Sequence, residues 1–307
     1  MSQLNQFCFT HLTDPHLSSL ENAQYRQLFN KRLLGYLSWK TRRQHHHLPS
    51  ILAALISDMK TIKPDHVVIS GDLTHIGLDD EFDQVANWLP SIGFPEQVTI
   101  IPGNHETYIK STWHETFAKW HDYLAADSTP ADSPVEFPTL RVRHPIALIG
   151  LNSAYPSAPF LATGKLGNQQ LIKLGKLLEQ TKQQGLYRVV IVHHPPIPGI
   201  CKWRKRLIDA SGLKEILKQH GTELVLYGHT HKTEYRELPI VNGTIPLISL
   251  SSASSISDQH SRRASYAVFR VSKNQFGEWQ LSKTIRQYQQ EQQKFVEYPC
   301  SEFQMNT

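Results

Sequence analysis

Five short polar clusters, each placed just after an apolar run, constrain this chain more than any other feature. In order they are Thr13-Asp14-Pro15-His16, Gly71-Asp72, Gly103-Asn104-His105-Glu106, His193-His194-Pro195-Pro196 and Gly228-His229-Thr230-His231. Apolar runs of four to eight residues bounded by turn formers read as buried strands. Six are found: Phe7 to Leu12, His66 to Ser70, Val98 to Ile101, Ile146 to Leu151, Arg188 to Val192 and Leu224 to Tyr227. Helical spacing appears between several of them: Ile51, Leu52, Leu55, Ile56 and Met59 behind Pro49 and Ser50, then Leu171, Leu174, Leu177 and Leu178, then Leu213, Ile216 and Leu217. After His231 the pattern turns to strands over Thr233 to Leu238, Thr244 to Leu250, Ser265 to Val271 and Trp279 to Ile285. Alternation followed by a run of strands predicts an α/β domain with a more antiparallel second half. Open α/β sheets place their sites beyond strand ends, and glycines before Asp72, Asn104 and His229 allow the turns that would bring these side chains together.

The 307 residues suffice for one large core. A single domain over residues 1–286 is expected, carrying insertions at 17–48 and 107–138, with residues 287–307 a helix or loose tail. Insertions placed so often build lids. Three scattered cysteines, Cys8, Cys201 and Cys300, form no CxxC pair, which favours a reducing compartment over a disulfide framework. The N-terminal stretch does not read as a signal peptide, and no apolar run is long enough to span a bilayer. A cytoplasmic protein, free or peripheral on the inner face of a membrane, is the expectation.

Carboxylate, imidazole and amide donors without thiolate suit hard or borderline divalent cations. Two such ions about 3.5–4 Å apart can clamp a phosphate and activate a water, and a pair of that kind needs a bridging carboxylate. Asp72, in the middle of the motif order, is the candidate bridge. His105 reads as a proton donor, with Glu106 placed to orient it. Any one motif is weak evidence among 17 histidines, as the run His45-His46-His47 shows. Their conjunction in fixed order is what carries weight.

The set DxH, GD, GNH(D/E), H and GHxH resembles that of the calcineurin-like metallophosphoesterase superfamily, from Asp14 to His231. The resemblance implies a four-layer αββα sandwich. It also implies one metal held by Asp14, His16, Asp72 and His231 and a second by Asp72, Asn104, His193 and His229. His194 is left in a supporting role, and Glu106 stands where Asp is commoner. His105 would protonate the leaving group during attack by a metal-bound hydroxide. Manganese or iron ranks ahead of zinc, cobalt and magnesium. Some relatives lose ligands and serve as protein-binding scaffolds; here none is missing.

The net charge of +5 is unevenly spread. No acidic residue lies between Asn22 and His47, and Lys202 to Arg206 form a second basic cluster. Both segments leave from the motifs, so Lys31, Arg32, Arg204, Lys205 and Arg206 are candidate contacts to a phosphorylated substrate. Residues 31–39 are loosely similar to an insertion in UDP-2,3-diacylglucosamine pyrophosphohydrolases. With Trp39 at a bilayer interface and an apolar stripe of Tyr25, Leu28, Phe29, Leu33, Tyr36 and Leu37, they suggest a lipid-linked pyrophosphate presented at an anionic membrane surface. The HHPP and GHTH stretches are similar to those of bacterial cyclic-nucleotide phosphodiesterases, which is the rival reading. Nucleic acid ranks lower because the charge is confined to two short stretches.

Overall fold

The computed structural model describes residues 6–298 apart from residues 18 and 132. The expectations that touch residues 1–5 and 299–307, including Cys300, lie outside the described residues. Among the described residues there are twelve strands: β1 (Phe7–Leu12), β2 (His66–Ile69), β3 (Val98–Ile100), β4 (Thr139–Arg143), β5 (Ile146–Gly150), β6 (Tyr187–Val192), β7 (Leu224–Tyr227), β8 (Glu234–Ile240), β9 (Gly243–Ser249), β10 (Ser265–Lys273), β11 (Trp279–Gln289) and β12 (Lys294–Tyr298). They form two six-stranded sheets, ordered β12-β11-β10-β1-β2-β3 and β4-β5-β6-β7-β9-β8. The pairs β1–β2, β2–β3, β5–β6, β6–β7 and β7–β9 are parallel. The remaining pairs are antiparallel.

The period-two alternation of each strand sorts its side chains into two layers. Phe9, Val68, Leu148, Val189, Ile191, Leu226 and Phe269 fill the space between the sheets, where Phe9 stacks on its cross-strand partner Phe269 at 4.9 Å. Leu12, Val67, Ile69 and Ile100 point the other way, against helices Pro49–Ile62 and Asp79–Ile92. Val190, Val192, Val225 and Tyr227 do the same against helices Asn168–Gln183 and Ala210–His220. Each such side chain removed from water contributes roughly 1.5–3 kcal/mol before the entropy of ordering is subtracted. The result is the expected αββα layering.

Three elements depart from the sequence reading. Residues 287–298 are neither helix nor loose tail: β11 runs through Gln289, and β12 pairs with it in a register that sets Tyr288 opposite Phe295. Strand β4 hides behind its charges, because Arg141 is buried and donates to the carbonyls of Ala125, Pro95, Val98 and Asp122. Residues 107–138 do not form a lid. Trp120 stacks on Phe82 at 4.6 Å and donates its indole N–H to the Phe82 carbonyl, so this segment packs into the core beside helix Asp79–Ile92.

Residues 17–48 fold as short helical pieces, Tyr25–Leu28, Arg32–Ser38 and a π-helical turn at Trp39–Arg43. The apolar stripe divides between two environments. Leu28 and Trp39 pack with Leu20, Ile76 and Leu78, whereas Tyr25 and Phe29 are 84% and 85% exposed. Trp39 itself is only 6% exposed and lies too deep for a bilayer interface.

One buried histidine away from the motifs makes stability depend on pH. His66, within β2, shares a hydrogen bond with Thr99 Oγ1 (2.8 Å). Burial, then the charges of Arg143 and Arg141, push its pKa down to about 3. In the unfolded chain an imidazole titrates near ~6.5, so below that value the unfolded state binds the extra proton. Stability is unaffected by this group at neutral pH and is lost as pH falls from about 6.5 toward 3, by ~2 kcal/mol at about pH 5. His66→Gln should therefore flatten the dependence of the urea midpoint on pH between about 6.5 and 4. An unchanged slope would contradict the assignment.

Candidate metal centre

The motif residues sit on backbone that bends back sharply at the strand ends. Asp14, His16, Asp72, His229 and His231 all have left-handed φ values, between 41° and 69°. A non-glycine residue there costs on the order of 1 kcal/mol. The conformation is held by hydrogen bonds from Asp14 N to Gly71 O (3.0 Å) and from His16 N to Asp72 O (3.1 Å), which carry the β1–β2 pairing past the strand ends. The glycines act differently from expectation at two of three positions. Gly71 is left-handed, but Gly103 and Gly228 are needed for closeness: a Cβ on Gly103 would strike Asp72, and one on Gly228 would strike Thr13 and Asp14.

These turns bring the predicted residues into two adjoining groups. Asp14, His16, Asp72 and His231 have ligand atoms within 4.8 Å of one another, and so do Asp72, His193 and His229. Asp72 belongs to both. Asp14 Oδ1 lies 3.1 Å from His231 Nε2, and Asp72 Oδ2 lies 3.2 Å from His193 Nε2. Asn104 joins the second group, its Oδ1 3.2 Å from His193 Nε2. Supporting contacts fix the rings: His16 Nδ1 meets Thr74 O and His193 Nδ1 meets Ser70 O, both at 2.8 Å, leaving Nε2 for the centre. His194 instead turns Nδ1 to the Ser153 hydroxyl (2.8 Å).

The donor set fits divalent cations on an observation independent of the motifs. Asp14 Oδ1 and His229 Nε2 are buried without a hydrogen-bond partner among the described residues, a costly arrangement unless a cation accepts their lone pairs. Burial alone would raise the Asp72 carboxyl. The charges of His193 and His105 instead hold it well below the usual range, so it is a carboxylate with two oxygens to offer.

His105 stands beside this carboxylate, Nε2 3.8 Å from Asp72 Oδ2. Its Nδ1 is bonded to the His75 carbonyl, so this residue, not Glu106, orients the ring. Glu106 is buried and accepts hydrogen bonds from Asp72 N (2.9 Å), Gly103 N (2.7 Å), and Thr74 N and Oγ1 (2.9 and 3.1 Å). It clasps together the two loops that carry Asp72 and Asn104. Glu106→Ala should consequently lower metal affinity about 10–100-fold and also reduce thermal stability. Full metal affinity in that variant would show the clasp to be dispensable.

The basic candidates separate. Arg204 and Lys205 line a cavity that reaches His229. Arg206 lines a different pocket, beneath Trp203 and Leu207. Lys31 is tied to Ser157 O and Oγ (each 3.0 Å) and to Leu161 O, and it caps the Tyr108 ring. Arg32 is buried and donates to Ile76 O and Gly77 O. These last two anchor the 17–48 segment and do not face the centre.

Three residues at the centre were not assigned to it from the sequence, although Arg43 and His47 belong to the basic insertion expected at its mouth. Arg43 brings its guanidinium to 3.4 Å from His105 Nδ1. His47 sets its ring 4.7 Å from that of His16 and groups with His16 and His231 as a possible donor. His75 stacks on His16 at 5.3 Å. All depend on how residues 17–48 and 75–78 fold back, for which the motif pattern holds no signal.

The calcineurin-like phosphoesterase family model matches residues 8–233. The chain belongs to this family. A protein of Vesicomyosocius okutanii described as a probable cyclic nucleotide phosphodiesterase is 28% identical over 203 residues, covering 62% of this chain and 72% of that one. A probable glycerophosphodiester phosphodiesterase, GpdQ of Arcobacter nitrofigilis, is 26% identical over 176 residues, covering 55% and 58%. Among solved structures, a dimetal phosphatase from Danio rerio superposes with a TM-score of 0.58 at 13% identity, covering 86% of this chain and 94% of that one. That similarity establishes the fold. The chain is therefore a metal-dependent phosphoesterase with the metallophosphoesterase architecture.

Proposed function

We propose that this protein hydrolyses phosphodiesters at a dinuclear metal centre, with a nucleotide phosphodiester such as 3′,5′-cyclic AMP as the substrate class. The observation that carries the reading is Asp72, shared between the two ligand groups, with His105 next to it. Bound cations would supply charge neutralisation at the phosphate and acidify a water. Asp14, His16 and His231 would hold one, His193, His229 and Asn104 the other, and Asp72 both. His105, anchored through Nδ1–H on the His75 carbonyl, would act as the imidazolium, its Nε2–H delivering a proton to the leaving oxygen and leaving the neutral ring. Arg43, at the same mouth, pairs with a non-bridging phosphate oxygen.

The expectation of UDP-2,3-diacylglucosamine is withdrawn. Of its residue-level support, Lys31, Arg32 and Trp39 are engaged in packing the 17–48 segment, and the names of the relatives point to phosphodiesters. The test is turnover of 3′,5′-cyclic AMP and bis(p-nitrophenyl) phosphate with manganese or magnesium, and its loss on chelation. Failure to cleave either compound with any of manganese, magnesium, iron, zinc or cobalt would overturn the proposal.

A second reading concerns location. No helix among the described residues is long and apolar enough to cross a membrane. Tyr25, Phe29, Leu33, Leu34 and Leu37 are nevertheless exposed on one segment that also carries Arg26 and Lys40, which supports adhesion to an anionic bilayer. Co-sedimentation with phosphatidylglycerol vesicles at low salt tests it, and protein remaining wholly in the supernatant ends it.

A further inference from the structure

A cavity of about 1020 Å³ opens beside the metal centre, sharing His229 with it. Six cations line it, Lys202, Arg204, Lys205, Lys232, Arg236 and Arg262, against one carboxylate, Glu234. That local excess of five equals the net charge of the entire chain, +5. Glu234 is occupied: it accepts from Arg236 Nη2 (3.2 Å) and Tyr227 Oη (3.3 Å). Besides His229 Nε2, two buried polar atoms of the lining, Arg236 Nε and Gln287 Oε1, have no hydrogen-bond partner among the described residues.

Cations gathered in a concave wall repel one another and do not stabilise a fold, whereas such a wall concentrates anions strongly. A solvated surface of mixed charge would look different, since it would carry interspersed carboxylates. The volume also exceeds what the scissile phosphate requires, because that group sits among the ligands themselves. The Arg236 guanidinium gives Nη2 to Glu234 but keeps its Nε–H unused, and such a donor beside further cations suits a phosphate oxygen.

Resting on the phosphodiesterase reading above, we infer that this cavity is a second phosphate subsite, so the preferred substrate is a linear nucleotide carrying a phosphate besides the scissile one. A cyclic mononucleotide, with its single phosphate at the metals, would leave the subsite unused. The smallest matched pair of probes is the dinucleotide ApA and its 5′-phosphorylated form pApA, which differ by that one group.

The wild-type holoenzyme should show a KM at least about tenfold lower for pApA than for ApA, and the gap should shrink as salt rises from about 50 to 200 mM. The double variant Lys202→Ala/Arg204→Ala changes two exposed side chains, and Arg236→Gln keeps the shape of a third. Each should abolish most of the preference. Equal KM values in the wild type, or a preference retained in both variants, would overturn the subsite. Calorimetric binding of the same pair to the His105→Ala holoenzyme separates this proposal from the activity. A pApA preference there, without any hydrolysis by the wild type, would refute the phosphodiesterase reading alone. Hydrolysis of bis(p-nitrophenyl) phosphate without that preference would refute the subsite alone.

Discussion

Asp72→Ala is expected to reduce kcat on bis(p-nitrophenyl) phosphate by ~10³-fold or more, about 4 kcal/mol of lost transition-state stabilisation. The size follows from position. Every other ligand candidate contributes to one of the two groups, whereas Asp72 contributes to both, so its removal disturbs both cations at once. Asp72→Asn should fall nearly as far, because it keeps the shape and one oxygen but loses the charge. The fold should survive in both variants: the turn is also held by backbone hydrogen bonds to Asp14 and His16 and by the Glu106 clasp. Circular dichroism should remain like that of the wild type while activity disappears. More than about a tenth of wild-type kcat in either variant would contradict the bridging role.

His105→Ala should cost about 10²–10⁴-fold, and the loss should depend on the leaving group. An alkoxide, as released from 3′,5′-cyclic AMP, needs the proton that Nε2 would deliver under the proposed mechanism. A p-nitrophenolate leaves readily without one. The variant should therefore lose ~10²-fold or more on the cyclic nucleotide and less than about tenfold on bis(p-nitrophenyl) phosphate. Equal losses on the two substrates would move His105 from acid to a merely positioning role. Arg43 and the His75 carbonyl act on the same ring, so Arg43→Ala provides a control in which KM rises and the leaving-group dependence stays as in the wild type.

The layered architecture was legible because its signals are local. Apolar runs of the right length became β1, β2, β3, β5, β6 and β7, and the helices at Ile51–Met59 and Leu171–Leu178 follow from their spacing. The motif residues proved to be neighbours for a related reason: each lies within six positions of a strand end, and parallel strands bring such ends to the same edge of the sheets. The signal failed where a residue's role depends on distant chain. Glu106 follows His105 directly, but successive residues point to different sides, and its carboxylate closes on the amides of Asp72, Thr74 and Gly103. Lys31 and Arg32 lie in a basic stretch, yet carbonyls of loops 157–161 and 76–77 take up their charges.

The same logic explains the aromatic segment after His105. Trp113, Phe117 and Trp120 looked suited to a lid because they follow a motif, but Phe82 on the outer helix offered a better partner. Sequence adjacency to a site therefore did not translate into spatial adjacency. Arg43 and His47 show the converse. They are separated from every motif by more than twenty residues on either side, and they reach the centre only because a π-helical turn and the β-bridge between His47 and Ser255 fold the segment back.

Metal content tests the central claim most directly. After saturation with manganese and removal of the excess, elemental analysis should find about two ions per wild-type chain and about one or fewer in Asp72→Ala. A wild-type chain that retains no manganese, iron, zinc or cobalt would contradict the dinuclear centre. Wild-type protein and Asp72→Ala holding the same number of ions would contradict Asp72 as the residue that joins its two halves.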